Sequence, residues 1–337
     1  MPIAQPEDHE IATAAYSCWE RGGKREGHDQ ADWHQGRQLV FMAKNYAVLA
    51  HHTLRAEGKE RLWLSDPRRC RYCGGVKPEN RGWKEAHAVP ELVGNKTLIA
   101  MDECTDCNTI FSRLEDDLGK LLHLSRAIMR IKGKGNRVPS FSSKAKKSGL
   151  EVKGDRIEIE QYESDPFATY DAERGVLDLQ GESQPFVPIA AYKSLVKMGL
   201  AVMPPEHFRH FGHAVNWIKN QNHEDWAADV GASAQCCFLF QPGPIPPEHA
   251  WCMLLGRRAH DAVLPHMLFI LTVANQSFQV MLPCSPGDNH WVGHRLELPV
   301  YPAFYGFGYE FGEPQRGNIP LSSPTKQPIR VSGSLSS

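Results

Sequence analysis

Two cysteine pairs, Cys70-Arg-Tyr-Cys73-Gly-Gly and Cys104-Thr-Asp-Cys107-Asn, stand 30 residues apart in the chain. In each pair a tight turn can bring both thiolates to one side, and two such pairs supply the four ligands of a tetrahedral zinc site. The spacing therefore predicts one structural zinc bound by Cys70, Cys73, Cys104 and Cys107. The alternative, a redox-active pair, occurs once per site on a βαβ pattern, which is absent here. The other five cysteines lie among apolar neighbours, and we interpret them as buried thiols.

The interval between the two pairs is longer than the roughly 15–20 residues of a plain zinc ribbon. Its middle reads Glu85-Ala-His87-Ala-Val-Pro-Glu-Leu-Val-Gly-Asn95, and Asn108 follows the second pair at once. A helix is predicted after Asn108, since apolar residues recur there at helical spacing: Phe111, Leu114, Leu118 and Leu121. As a combined pattern, this segment resembles the HNH endonucleases, in the branch that carries CxxC, His-x2-Pro, Gly-Asn and CxxCN.

The resemblance runs from Cys70 to Leu121 and implies a ββα-metal fold, in which a two-stranded hairpin and a helix hold one divalent cation. His87 matches the general base of the family, and Asn95 matches the hairpin-loop residue that holds this histidine. Asn108 matches a ligand of the catalytic metal, Mg²⁺ or Mn²⁺. The four cysteines match the structural zinc that ties hairpin and helix together.

Elementary chemistry agrees with these roles. An imidazole titrates near neutral pH and can take a proton from water. Mg²⁺ prefers oxygen ligands and keeps several waters, so the amide oxygen of Asn108 suits it. One departure concerns Ala86, because the commonest form of the motif has an acidic residue there as a second metal ligand. Glu85 or Glu91 could supply a displaced carboxylate, or the metal could rest on Asn108 and water.

Simpler interpretations of the same residues stay open at this point. His87 could be a zinc ligand or a core histidine. Asn108 could only cap the helix, because Asn is a preferred N-cap residue. Asn95 could be only a turn residue after Gly94.

The segment from Lys120 to Lys153 holds ten Lys or Arg residues and one acidic residue, in a chain whose net charge is -1. Glycines, prolines and serines make it loop-like, so its backbone could follow phosphates. Beside an HNH motif this run predicts nucleic-acid binding, whereas alone it could be a solvated face. The residues we expect to contact nucleic acid are Lys132, Lys134, Arg137, Lys144, Lys146 and Lys147.

We predict an α+β, multidomain fold. An N-terminal helical hairpin (8–58) has its first apolar face at Ala12, Tyr16 and Trp19, and its second helix runs up to Gly58. Residues 11–39 of this hairpin resemble a short helical domain of unknown function that is common at bacterial N-termini. Further segments are the HNH ββα-metal zinc module (61–125), a basic loop and β-hairpin (126–160), a linker (163–185), a C-terminal α+β domain of unknown role (186–312) and a disordered tail (313–337).

The C-terminal α+β domain shows both kinds of element. Apolar residues at helical spacing predict one helix over 192–202 and a second helix after Pro205. Apolar runs at 236–240, 267–273 and 278–282 are typical of strands.

Composition excludes several classes of protein. The longest apolar run, near residues 267–274, is far shorter than the about 20 residues of a membrane-spanning helix. The first ten residues are acidic and lack the apolar core of a secretory signal, so we expect a cytoplasmic protein with no membrane partner.

The sequence predicts a metal-dependent HNH endonuclease acting on DNA, with RNA left open. The rival is a catalytically silent zinc module that binds nucleic acid or a protein partner. Oligomeric state is left undetermined.

Overall fold

A computed structural model describes residues 3–336 apart from residues 56, 63, 65, 67, 79–82, 144, 155, 174, 224–233, 261, 292–297 and 309. The fold mixes helices with several sheets, as predicted. The helices in the described part of the chain are α1 (Asp8–Arg21), α2 (Asp29–Asn45), α3 (Thr105–Leu121), α4 (His123–Ile128), α5 (Pro188–Ala201), α6 (Pro205–Phe208) and α7 (Gly212–Lys219).

The strands fall into one six-stranded sheet and three three-stranded sheets within the described residues. They are β1 (Tyr46–Thr53), β2 (Glu60–Leu62), β3 (Ala86–His87), β4 (Leu98–Ala100), β5 (Phe141–Ser142), β6 (Gly149–Lys153), β7 (Arg156–Glu160), β8 (Ala168–Asp171), β9 (Val176–Glu182), β10 (Gln235–Phe240), β11 (Ala250–Arg257), β12 (Met267–Val273), β13 (Gln276–Met281), β14 (Gln315–Pro320) and β15 (Arg330–Ser336).

Helices α1 and α2 form the predicted N-terminal hairpin, but through another face of α1. Its buried residues are Ile11, Ala15 and Cys18, whereas Tyr16 is 57% exposed. The helices approach so closely that a Cβ at Gly36 of α2 would lie 2.6 Å from the backbone nitrogen of Ala15. Only glycine fits at position 36, and α1 meets it with Ile11 and Ala15. The predicted face of Ala12, Tyr16 and Trp19 was therefore wrong.

The second helix ends at Asn45, and a strand begins at the next residue. The Asn45 side chain donates to the carbonyl of Phe41 at 2.9 Å and to that of Ala4 at 2.8 Å, which satisfies groups at the helix end. Residues 46–53 then pair antiparallel with β11, from Tyr46 opposite Arg257 onward. The predicted helix up to Gly58 was therefore wrong, because pairing with a distant strand overrides the helical period.

The six-stranded sheet has the order β1-β11-β12-β13-β10-β14. Helix α5 packs against β12 and β13, and each of its residues is buried. The predicted helix of residues 192–202 is confirmed in α5, and the apolar runs predicted as strands are confirmed in β10, β12 and β13. The single helix predicted after Pro205 is instead divided into α6 and α7.

A smaller sheet, β2-β4-β3, precedes α3. Strand β3 runs antiparallel to β4, with His87 opposite Ile99. Helix α3 buries Phe111, Leu114, Leu118 and Leu121, as the spacing predicted. These residues share one hydrophobic core with α5 and the six-stranded sheet, so the cysteine-rich segment and the region after residue 186 are packed together.

The segments predicted as linker and tail contain strands. Strands β8 and β9 lie within 163–185, and β14 and β15 lie within 313–337. Strand β14 pairs with β10, and β15 pairs with β9. The disordered-tail prediction was wrong because these strands are held by partners far away in the sequence, which composition does not reveal. The predicted hairpin of β6 and β7 is confirmed.

Candidate functional site

The four predicted cysteines converge. Their Sγ atoms all lie within 4.8 Å of one another, and Cys73 is exposed whereas the other three are buried. A tetrahedral zinc with Zn–S bonds of about 2.3 Å places its sulfurs about 3.8 Å apart. The Sγ atoms of Cys73 and Cys104 are 3.7 Å apart. The donor set and its spacing therefore fit a zinc ion held by four thiolates.

Backbone geometry shapes this cluster. Gly74 has φ +71°, a conformation that glycine adopts without strain, and its N–H donates to the carbonyl of Cys70 at 2.8 Å. The N–H of Cys104 donates to Sγ of Cys70 at 3.4 Å, and the N–H of Gly75 donates to Sγ of Cys73 at 3.4 Å. A hydrogen bond from the Cys107 thiol lowers the pKa of Cys70 and raises that of Cys107, and burial raises the pKa of Cys104. A thiolate is the form that binds zinc.

Arg71, between the first two cysteines, attaches the cluster to the end of α5. Its guanidinium donates to the carbonyl of Ala201 at 3.0 Å and to that of Met203 at 2.8 Å. Its Nε lies 3.7 Å from Oδ2 of Asp102, and its side chain is 2% exposed. The first cysteine turn is thus fixed to the C-terminal end of a buried helix, where a cation is favourable.

His87, the predicted base, ends strand β3 and is 20% exposed. Its Nε2 lies 4.0 Å from Oε1 of Glu91. Burial lowers the pKa of His87, and the carboxylates of Glu91 and Glu85 oppose this effect. The imidazole is therefore biased towards its neutral form. His87 does not belong to the four-thiol cluster found among the described residues, so that cluster gives no support for a role as a zinc ligand.

Asn95 closes the loop between β3 and β4. Its Nδ2 donates to the carbonyl of Val89 at 2.5 Å and to that of Leu98 at 3.3 Å. Its Oδ1 accepts from the N–H groups of Thr97 at 3.1 Å and Leu98 at 2.9 Å. The side chain is fully buried. Asn95 is thus more than a turn residue, because it fixes the backbone two residues after His87.

Asn108 lies in the first turn of α3 and is half-buried. The N-cap residue of α3 is Cys104, whose Sγ accepts from the N–H of Cys107 at 3.4 Å. The N–H of Asn108 donates to the carbonyl of Cys104 at 2.9 Å. The alternative that Asn108 caps the helix is therefore wrong. No hydrogen bond joins His87 to Asn108 within the described part of the chain.

The two carboxylates considered as displaced metal ligands have different surroundings. Glu85 forms an ion pair with Lys59 at 2.8 Å, and this contact lowers the pKa of Glu85. Glu91 lies beside His87 and 3.3 Å from Nζ of Lys96. Of the two, Glu91 is therefore the carboxylate whose contact with His87 the structure records.

Lys96 connects this site to the basic segment, since its Nζ donates to the carbonyl of Gly133 at 2.5 Å. Five of the six residues predicted to bind nucleic acid are exposed: Lys132, Lys134, Arg137, Lys146 and Lys147. Lys144 lies outside the described residues. The exposed cations thus belong to a basic segment that contacts, through Gly133, the loop after His87.

Lys197 is a site residue that sequence reasoning missed. It lies on α5, yet its Nζ donates to the carbonyl of His87 at 3.0 Å. It also lies 3.1 Å from Oε2 of Glu103 and 3.7 Å from Oε1 of Glu115. A lysine within a predicted apolar helix was the available indication, but its partners lie too far away in the sequence to be identified.

Comparison with known proteins informs only the N-terminal hairpin. Residues 6–41 are similar to a family described as a protein of unknown function (DUF2934). This match covers the segment whose resemblance to a short helical domain was evident from sequence. No curated protein and no solved structure matches the chain. Within the described residues, no helix has both the length and the apolar character of a membrane span.

Proposed function

We propose that this protein is a metal-dependent HNH endonuclease that hydrolyses phosphodiester bonds in DNA. One observation carries the proposal: a strand that ends in His87, a loop closed by Asn95 and a helix that begins at a four-cysteine cluster follow one another in the chain. This order of elements is the one that the sequence resemblance implies. The cluster accounts for why the helix bearing Asn108 starts beside the hairpin.

His87 acts as the general base in this proposal. It takes a proton from the attacking water, which a neutral imidazole can do. Burial biases His87 towards that neutral form. Asn95 supports the base indirectly, because its four hydrogen bonds fix the loop that follows His87.

The available donors suit a hard cation such as Mg²⁺ or Mn²⁺, because Asn108 offers an amide oxygen and Glu91 a carboxylate. When bound, such an ion neutralises charge on the phosphate and the departing oxygen. Asn108 would hold it from the first turn of α3, together with water. Glu91, beside His87, is the carboxylate best situated to help.

The exposed basic segment supports a polyanionic substrate. Lys132, Lys134, Arg137, Lys146 and Lys147 are exposed. Exposed surface cations attract phosphates and release counterions on binding. The contact between Lys96 and Gly133 sets this segment beside the loop that follows His87.

The experiment is a nicking assay on supercoiled plasmid with Mg²⁺ or Mn²⁺, run beside a single-stranded RNA substrate. Wild type should nick DNA, and His87→Ala should reduce the rate by about 10²–10⁴, the usual effect of losing a general base. His9→Ala is the matched control, because His9 is 77% exposed on α1 and lies outside the site. Equal nicking by all three proteins would indicate a contaminating nuclease and refute the proposal.

A second candidate is a catalytically silent zinc module that binds nucleic acid or a protein. The observation that favours it is the buried Ala86 in place of an acidic ligand, with Glu85 already paired to Lys59. This candidate predicts salt-dependent DNA binding without nicking under any divalent ion. Absence of both nicking and DNA binding would leave a protein partner.

A further inference from the structure

Lys197 is a charged side chain in the interior, since it is only 1% exposed. Removing an ammonium group from water is costly unless it gains good partners. Here its Nζ meets the carbonyl of His87 at 3.0 Å, a carboxylate oxygen of Glu103 at 3.1 Å and one of Glu115 at 3.7 Å. The contact with His87 is a hydrogen bond, whereas Glu103 and Glu115 attract the ammonium by charge at ion-pair distance.

The three partners belong to three parts of the candidate site. His87 ends strand β3, Glu103 directly precedes Cys104 of the cysteine cluster, and Glu115 lies on α3. Glu115 is seven residues after Asn108, close to two helical turns, so both residues lie on one face of α3. Lys197 therefore links the backbone of His87 to the helix face that carries Asn108.

The charge of Lys197 is maintained by its surroundings. Burial acts to lower the pKa of Lys197, but the carboxylates of Glu103 and Glu115 outweigh this effect and raise it. These surroundings favour the ammonium form of Lys197, and burial also raises the pKa of Glu115 and raises that of Glu103 to about 7.

We propose that Lys197 is a positioning residue, which clamps strand β3 to α3 and so holds His87 in a fixed place relative to Asn108. The inference rests on the proposed function for its catalytic meaning, but the clamp itself is a physical property that can be measured without substrate. This proposal gives the region after residue 186 a role, because its helix α5 carries Lys197 and so supports the site.

The chain offers a matched control one helical turn away. Lys193 is also 1% exposed on α5, and its Nζ donates to the carbonyl of Asn220 at 2.8 Å and lies 3.3 Å from Nδ1 of His223. Lys193→Met and Lys197→Met both remove one buried ammonium from the same helix. They differ in the recorded partners of that ammonium, which are His87, Glu103 and Glu115 for Lys197 but Asn220 and His223 for Lys193.

The first measurement is amide hydrogen exchange, followed by mass spectrometry, in the segment 84–100 of the full chain with zinc bound. Lys197→Met should speed exchange there about 10- to 100-fold, the effect of removing one charge-assisted hydrogen bond on local opening. Lys193→Met should leave this segment at the wild-type rate. Equal rates in the two variants would overturn the clamp.

The second measurement separates positioning from general stability. Lys197→Met should lower kcat for plasmid nicking about 10- to 100-fold while KM changes less than about twofold, because the base is misplaced but the DNA-binding surface is intact. Lys193→Met should keep its kcat. An equal loss of kcat in both variants would show that Lys197 has only a structural role.

Two further outcomes are informative. If Lys197→Met does not fold, Glu115→Gln is used in its place, because this change weakens one side of the clamp. Amide hydrogen exchange in residues 84–100 should then speed up about threefold or more. Unchanged exchange would overturn the clamp. If wild type nicks no DNA but Lys197→Met still loosens 84–100 selectively, the clamp stands and the proposed function fails.

Discussion

Replacing Arg71 by methionine should lower the free energy of unfolding by about 3–5 kcal/mol, the usual effect of removing one partner from a buried ion pair. Arg71 lies between two cysteines of the four-cysteine cluster, but its guanidinium donates to carbonyls at the end of α5. The variant therefore tests whether the cysteine cluster and the region after residue 186 form one folding unit.

The magnitude follows from the hydrogen bonds and the ion pair of Arg71. Its hydrogen bonds to the carbonyls of Ala201 and Met203 are 3.0 and 2.8 Å long, and Asp102 lies 3.7 Å away. A hydrogen bond from a charged group contributes about 1.5–3 kcal/mol, so two account for most of the expected decrease. Methionine retains an apolar chain against Phe208, whose ring centroid lies 4.1 Å from the guanidinium carbon. The effect is thus polar rather than steric.

The assay is urea unfolding of zinc-loaded protein, followed by far-UV circular dichroism, with zinc content measured in parallel. Arg69→Met is the control, because Arg69 is exposed and makes one long hydrogen bond of 3.4 Å to the carbonyl of Gly74. The control should stay within about 0.5 kcal/mol of wild type. If Arg71→Met does the same, the contact with α5 does not stabilise the fold and the single-unit reasoning fails.

Four other outcomes are expected. Purified protein should contain about one zinc per chain. Removing zinc with a chelator should speed amide exchange in α5 as well as in α3, because both helices share one core. Unchanged exchange in α5 would argue against that coupling. Burial lowers the pKa of His87, and a base works when unprotonated, so the pH–rate profile of nicking should reach its midpoint below about 6.5; a higher midpoint would contradict this. Changing both Lys146 and Lys147 to Ala should weaken DNA binding and reduce its log–log salt slope by about one unit for each phosphate that is no longer neutralised. Lys153→Ala should have less effect, because Glu158 already pairs with Lys153 at 2.6 Å. Asn95→Ala should lower the free energy of unfolding by roughly 2 kcal/mol or more, because buried backbone groups are left without partners; urea unfolding measures this, and a neutral result would mean that the loop relaxes.

The cysteine cluster could be predicted from sequence because ligand spacing is local: two residues between thiols already force a turn. The helices α3 and α5 could be predicted for a similar reason, since an apolar period depends only on neighbouring turns. The buried face of α1 could not, because close packing at Gly36 favours Ala15 over the larger Tyr16. Amphipathic spacing alone does not indicate how near the partner helix lies.

Pairing between distant residues sets the limit of sequence reasoning. Strands β14 and β15 are stabilised by pairing with β10 and β9, and nothing in a Pro- and Ser-rich tail indicates those partners. Lys197 and His87 are 110 residues apart, so their hydrogen bond was equally invisible. The roles suggested for His87 and Asn108 by resemblance remain predictions that the assays above address.

The junction at Asn45 and Tyr46 joins a helix to a strand with no residue between them, and this has a mechanical consequence. Strand β1 leads to Arg55, whose carbonyl accepts from the N–H of Lys96 at 2.9 Å. Lys96 in turn contacts Glu91 beside His87. Helix α2 of the N-terminal hairpin thus continues directly into the sheet, without a connecting loop. A displacement of this hairpin would therefore be transmitted through β1 to the loop that follows His87.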